Sequence, residues 1–187
     1  MLTVCILAGG KSKRFKKDKL FQNLFGKPLI SYVIDSVKEL GEVIVVGKPS
    51  DKFLYLKDVA FIPESFKDHS PLYGIITGLR NASFEKVLFL PGDVPFIKKE
   101  VLKAFSKEAP PCVISEGNFL HSLFFLASKV HLPFVEEFLK RGNYRISDLH
   151  GFLSSKRLDF RKLEILDYRR RSLLNINRQE EFYEAIY

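Results

Sequence analysis

The chain reads as an α/β protein built on a mostly parallel sheet, and three observations predict it. Residues 2–7, Val43-Ile-Val-Val46 and Lys86-Val-Leu-Phe-Leu90 are short runs with almost no polar interruption, the pattern of strands covered on both faces. Segments with apolar residues at helical spacing separate them, and strands alternating with helices imply parallel pairing. Two of the runs also end abruptly in turn residues, at Ala8-Gly9-Gly10 and at Pro91-Gly92-Asp93. Ligands of parallel sheets collect beyond the carboxyl ends of the strands, so these two turns are expected side by side at one edge.

The elements follow in order. After the first strand and a basic loop, Gly26-Lys27-Pro28 breaks the chain, and Pro28 suits a first helical position. Leu29, Ile30, Val33, Ile34, Val37 and Leu40 recur at helical spacing, with Gly41 placed to cap the end. Residues 43–46 form the second strand and 59–62 a weaker third. Ser70-Pro71 opens a helix over 72–82. The strand at 86–90 is followed by a helix over 98–107. Residues 112–116 and 119–127 read as an antiparallel hairpin turning at Gly117-Asn118. A helix over 131–139 precedes Gly142, a short one spans 146–153, and 163–166 suits an edge strand. Asn177 with Glu180 three residues later is a capping-box pattern opening the last helix.

Length and composition bound the rest. The 187 residues, 46% apolar, suit one domain with a full core. No apolar stretch reaches the roughly 18 residues of a membrane span. The N-terminus lacks the charged, apolar and cleavage regions of a signal peptide, so a cytoplasmic protein away from membranes is expected. Cys5 and Cys112 are the only cysteines, too few for a disulfide scaffold or a cysteine metal site. The net charge of +8 attracts anions of any kind, from nucleic acid to phosphorylated metabolites. The run Arg169-Arg170-Arg171 is read as a solvated loop.

The first turn carries the chemistry. Gly9 and Gly10 open main-chain N–H groups to a ligand, and six cations follow between Lys11 and Lys19. A polyphosphate suits such a loop, although a plain βα turn with a solvated charge run has the same features. The loop lacks the spacing of a Walker A motif and of a dinucleotide fingerprint. Asp93, held on a stiff turn between Gly92 and Pro95, is placed to hold Mg²⁺ on that polyphosphate, since Mg²⁺ takes one or two carboxylates and completes its shell with water and phosphate oxygens. Capping its own turn is the plainer alternative.

Together, Leu7-Ala-Gly-Gly10, Arg14, Asp18-Lys19, Gly26-Lys27-Pro28, Pro71-x-x-Gly74 and Pro91-Gly-Asp-x-Pro95 resemble the signature of nucleotidyltransferases with the nucleotide-diphospho-sugar transferase fold, a three-layer, Rossmann-like α/β architecture. His121, Arg145 and Asn175-Ile-Asn177 resemble one branch, the molybdenum cofactor guanylyltransferases. The resemblance implies one nucleotidyltransferase domain over 1–187, with a nucleotide half over roughly 1–97 and an acceptor half over roughly 98–187. It implies transfer of GMP from GTP to molybdopterin, with Mg²⁺ as cofactor and other proteins of molybdenum cofactor biosynthesis as partners. Carried over by position, Leu7, Ala8, Gly9, Gly10, Lys19, Glu64 and Asp93 would bind the nucleotide. Arg14, Lys19 and Asp93 would be catalytic, with Asp93 on the metal. His121, Arg145, Asn175 and Asn177 would face the acceptor. The sequence departs from the pattern at Lys16-Lys17, where a glycine is usual, at Ser70 before Pro71, and around Gly47-Lys48. A same-fold enzyme using CTP or a sugar-phosphate acceptor is one alternative. A basic nucleic-acid-binding module is another, but it needs exposed aromatics among the cations. Only Phe15 and Phe21 are positioned for that, and both read better as core anchors, so no nucleic acid is expected.

Overall fold

The computed structural model describes residues 1–9, 19–56, 59–64, 70–176 and 179–186. In chain order the strands are β1 (Thr3–Leu7), the two-residue β2 (Asn23–Leu24) and β3 (Lys27–Pro28), β4 (Glu42–Gly47), β5 (Ala60–Pro63), β6 (Lys86–Pro91), β7 (Cys112–Glu116), β8 (Phe119–Ser128) and β9 (Lys156–Asp159). The α-helices are α1 (Leu29–Val37), α2 (Pro71–Asn81), α3 (Lys99–Phe105), α4 (Leu132–Lys140), α5 (Ile146–Phe152) and α6 (Gln179–Ile186). Among the described residues, seven strands pair in one sheet in the order β5-β4-β1-β6-β8-β7-β9, while β2 and β3 pair with each other. Every neighbouring pair in the large sheet is parallel except those of β8, which runs against both β6 and β7.

The apolar runs build this sheet because both faces are covered. Val4, Ile6, Val45, Leu88 and Leu90 point to one layer, where they meet Ile30, Val33 and Val37 of α1 and Val101 and Phe105 of α3. Cys5, Leu7, Ile44, Val46, Val87 and Phe89 point to the other, against Leu72, Ile75 and Leu79 of α2, Val135 and Phe138 of α4 and Leu149 of α5. Each fully buried Leu, Ile, Val or Phe contributes about 1.5–3 kcal/mol, so the two layers supply the main driving force. Both cysteines are free and buried. Among the described residues no helix is long and apolar enough to cross a membrane.

Helix α2 lies unusually close to the sheet. A Cβ at Gly78 would stand 2.6 Å from the Phe89 ring and 2.7 Å from Cys5 Sγ, and one at Gly74 would stand 2.9 Å from both Glu64 Oε1 and Leu7 Cδ2. The helix starts as its sequence dictates: the Ser70 Oγ accepts the Leu72 N–H at 3.2 Å, and Pro71, which has no N–H to satisfy, follows at the first position.

Three local expectations are corrected. Residues 163–166 are not an edge strand: they end a 3₁₀ helix, Phe160–Leu166, and β9 forms the sheet edge instead. The buried Phe160 and Leu163 stand three residues apart, the 3₁₀ repeat. Gly41 does not cap α1, which ends four residues earlier with the Lys38 N–H on the Ile34 carbonyl at 3.0 Å. Glycine is needed there for close approach, since a Cβ would stand 2.1 Å from the Leu2 carbonyl oxygen. Pro28 precedes the first helical residue and belongs to β3. Asn177 lies outside the described residues, and so does its capping-box pairing.

His150 of α5 gives the fold a pH dependence. It is buried, with Nε2 2.9 Å from the Ser122 carbonyl oxygen and Nδ1 3.4 Å from Ser155 Oγ. A carbonyl only accepts, so Nε2 carries the proton of the neutral ring. Burial holds its pKa below the usual histidine value, more than the Ser122 carbonyl raises it, and the Arg157 charge adds to the depression. The unfolded chain therefore takes a proton first as pH falls. Stability is intact above the unfolded value near 6.5 and is lost as pH drops from there through the lower folded value. We expect the melting temperature to fall between pH 7.5 and 5.5, and His150→Gln to fall less over the same interval by calorimetry. Equal slopes would remove His150 as the cause.

Candidate active site

The parallel pairing of β1 with β6 brings the two sequence turns together. Leu7 lies opposite Pro91, and the Gly92 N–H donates to the Leu7 carbonyl at 3.1 Å. On the other side of β1, the Ala8 N–H donates to the Val46 carbonyl at 2.7 Å. Leu7 is buried, Ala8 half-buried, and Gly9 exposed at the rim. Gly10 and Arg14 lie outside the described residues, as does Phe15. Lys19–Phe21 form a single 3₁₀ turn. Phe21 anchors that turn by packing edge-on against Phe53 at 4.9 Å, as expected of a core anchor.

That anchor delivers Lys19 to Asp93. The Lys19 ammonium stands 2.6 Å from Asp93 Oδ2, with side-chain exposures of only 12% and 21%, so water screens the pair weakly. The other carboxylate oxygen, Oδ1, accepts from the Asn175 amide at 2.7 Å. The Asp93 backbone carbonyl accepts the Ile176 N–H at 2.9 Å. Asn175, which the resemblance assigns to the acceptor side, thus also has its amide on the Asp93 carboxylate.

Glu64 forms the next part of the rim. It follows β5, and its N–H donates to the Gly47 carbonyl at 2.7 Å. Its carboxylate lies beside both Gly9 and Gly74: a Cβ at Gly9 would stand 3.4 Å from each oxygen. Burial pushes this half-buried carboxyl above the ordinary glutamate value, partly opposed by the charge of Lys48. The Cys5 thiol is pushed well up by burial and then by the Glu64 charge, which leaves it inert.

His121 and Arg145 sit on the same edge of the sheet. His121, on the part of β8 that extends past its pairing with β6, places Nε2 2.7 Å from Glu116 Oε2. Arg170 reaches the other Glu116 oxygen at 3.3 Å and Glu164 at 2.9 Å. Arg169 and Arg170 are exposed, as a solvated loop requires, with Arg170 paired to two surface carboxylates. Glu116 and Arg170 were missed in the sequence. The hairpin register held the signal for Glu116, since His121 pairs with Ile114 and Glu116 lies two residues on from it, a diagonal pair on one face. Arg145 is exposed at the N-terminus of α5. Its neighbour Tyr144 accepts the Ser70 hydroxyl at 3.0 Å through its carbonyl, so the serine at the departure from the glycine pattern links α2 to this segment.

Among the described residues no three His, Cys, Asp or Glu side chains group as a metal cage. Asp93 nevertheless fits Mg²⁺, because its carboxylate is partly exposed and each oxygen, with one bond to Lys19 or Asn175, keeps acceptor capacity for an ion. A lone carboxylate suits an ion whose other ligands are phosphates and water.

The chain is similar to known proteins in sequence and in fold. The family model of the MobA-like NTP transferase domain matches residues 4–156. The chain is 36% identical to the "Probable molybdenum cofactor guanylyltransferase" of Aquifex aeolicus, over 96% of this chain and 87% of that one. It is 34% identical to the molybdenum cofactor guanylyltransferase of Vibrio atlanticus, over 83% of each. In fold it is similar to the crystal structure of molybdopterin-guanine dinucleotide biosynthesis protein A from Archaeoglobus fulgidus, with a TM-score of 0.83 over 98% of this chain and 96% of that one at 22% identity. With β1 and β6 presenting a glycine turn and an Asp–Lys pair at one edge, and with a family match over most of its length, the chain belongs to the MobA-like NTP transferases and is a nucleotidyltransferase.

Proposed function

We propose that the chain transfers GMP from GTP to molybdopterin, forming the guanine dinucleotide and pyrophosphate. Its identity to the named guanylyltransferases carries the choice of nucleotide and acceptor, and the Lys19–Asp93–Asn175 cluster, on the turn joined to Leu7, supplies a place for the chemistry. A terminal phosphate oxygen of molybdopterin attacks the α-phosphorus of GTP in line. One P–O bond forms, the bond from the α-phosphorus to the bridging oxygen breaks, and pyrophosphate leaves. The attacking phosphate is already anionic at neutral pH, so no general base is required.

The protein's part is positioning and charge neutralisation. Asp93 would hold Mg²⁺, which when bound draws charge from the phosphates and makes the α-phosphorus more electrophilic. Lys19 neutralises the α-phosphate as negative charge builds on it, and Arg14 does the same for the leaving pyrophosphate. Leu7, Ala8, Gly9 and Gly10 present main-chain groups to the nucleotide. Glu64, beside Gly9, accepts hydrogen bonds from the base or ribose. His121, Arg145, Asn175 and Asn177 face the acceptor, in the half of the chain from about residue 98 onward.

The test is turnover of molybdopterin with Mg²⁺ and GTP, CTP or UTP, read as the dinucleotide by mass spectrometry and as released pyrophosphate. GTP is expected to be preferred by about 10²-fold or more, the scale set by unpaired hydrogen-bonding groups in a wrong substrate. Equal use of CTP, or transfer only to a sugar phosphate, would replace this reading with one of its same-fold relatives.

A further inference from the structure

Asp167 lies outside the site just described and is buried completely. Its Oδ2 accepts the Ser172 N–H at 2.7 Å, and its backbone carbonyl accepts the Arg170 N–H at 2.8 Å. The carboxylate thus closes the turn 167–172 around itself. Its Oδ1 has no hydrogen-bond partner among the described residues and faces the Lys98 ammonium at 3.5 Å. Lys98 also donates from Nζ to the Leu166 carbonyl at 3.2 Å and from its backbone N–H to Ser172 Oγ at 3.1 Å.

These contacts fasten one segment to another at two points. Lys98 ends the turn that begins at Asp93, with the buried Val94 and Ile97 between them. Asp167 and Ser172 hold the Lys98 end of that turn. Three and four residues further on, Asn175 and Ile176 hold the Asp93 end through its side chain and its backbone. A buried carboxylate with one oxygen lacking a hydrogen bond is a poor way to stabilise a fold, since an apolar group of the same volume commonly does as well. What it fixes is the path of the chain that carries Asn175 to Asp93.

We infer that Asp167 is a positioning residue for the reaction: by closing the 167–172 turn on Lys98 it sets where Asn175 meets the Asp93 carboxylate, and so how that carboxylate is presented to the metal. This rests on the reading of Asp93 as the Mg²⁺ ligand.

Four variants, Asp167→Ala, Asp167→Asn, Ser172→Ala and Asp93→Asn, are compared with the parent. The measurements are Mn²⁺ binding in the presence of GTP by electron paramagnetic resonance, the Mg²⁺ dependence of turnover, and the GTP KM. Loss of a group that orients a metal ligand typically costs 10–100-fold in metal affinity. Asp167→Ala is therefore expected to weaken Mn²⁺ binding about 10-fold with the GTP KM little changed. Asp167→Asn keeps an oxygen for the Ser172 N–H and is expected to recover most of the loss. Ser172→Ala, which removes only the link to the Lys98 N–H, is expected to move Mn²⁺ affinity the same way by a smaller factor, and it serves if Asp167→Ala does not fold. Unchanged Mn²⁺ affinity in the Asp167 and Ser172 variants, alongside a large loss in Asp93→Asn, would overturn the inference alone. Unchanged affinity in Asp93→Asn would instead overturn the metal assignment beneath it.

Discussion

Replacing Asp93 by Asn is expected to lower Mg²⁺-dependent turnover by at least about 10²-fold, the scale seen when a group stabilising transition-state charge is removed, while the chain stays folded. The substitution keeps the side chain's shape and removes the charge that the Lys19 ammonium meets at 2.6 Å. Asp93 closes a turn whose neighbours, Gly92, Val94 and Pro95, are buried, and its backbone bond to Ile176 survives the change. Loss of one hydrogen-bonded partner costs about 1–3 kcal/mol. At roughly 2–4 °C per kcal/mol for a chain of this size, the melting temperature should fall by no more than about 12 °C. Single-turnover kinetics with GTP and acceptor, beside calorimetry, separate the two effects. Near-normal Mg²⁺-dependent rates in a folded Asp93→Asn protein would remove this residue from the reaction.

The second large effect is expected at Lys19. Lys19→Ala should reduce kcat by about 10²–10³-fold, again the range for a charge-stabilising group, while Lys16→Ala and Lys17→Ala should stay within about threefold of the parent. Lys19 is anchored: it opens the 3₁₀ turn that Phe21 pins against Phe53, and its ammonium is aimed at the carboxylate of the opposite turn. Lys19→Arg keeps the charge but spreads it over a planar fork, so it should recover only part of the loss. A steady-state series over the four variants decides the matter. Similar losses at all three lysine positions would mean that the loop acts as a diffuse cationic field with no single reactive cation.

The sequence exposed this site unevenly, for physical reasons. Strands buried on both faces leave an unbroken apolar run, so β1, β4 and β6 were readable, and a parallel sheet then obliges the turns after β1 and β6 to meet. Asp93 stands two residues beyond β6 and came with it, whereas Lys19, twelve residues beyond β1, was singled out among the loop's cations by the Asp18-Lys19 pair of the family pattern. Asn175 was visible as part of a family pattern, but its partner was not, because the hydrogen bond to Asp93 spans 82 positions and no local periodicity records it. The Glu116–His121 pair was recoverable from the hairpin register. Arg170 was not, since it reaches Glu116 from a turn shaped by the buried Asp167. The 3₁₀ helix Phe160–Leu166 was mistaken for a strand at its end because Leu163-Glu164-Ile165-Leu166 places apolar residues where an edge strand suits, yet Ile165 is 93% exposed.

Gly74 and Gly78 have a bearing on how such a chain drifts over generations. They stand one helical turn apart on α2, and neither has room for even a methyl group without moving Phe89, Cys5, Leu7 or Glu64. A lineage accumulating substitutions meets two closed positions there, and they are closed for different reasons. At Gly78 the obstruction is core packing, so an alanine would be penalised as lost stability. At Gly74 two atoms stand in the way at the same 2.9 Å, Leu7 Cδ2 and a Glu64 carboxylate oxygen, so the same change would press on the candidate site and, on the nucleotide role proposed for Glu64, alter what that site selects. On that proposal one helix face couples tolerance in the core to selectivity at the surface, and the two cannot evolve independently.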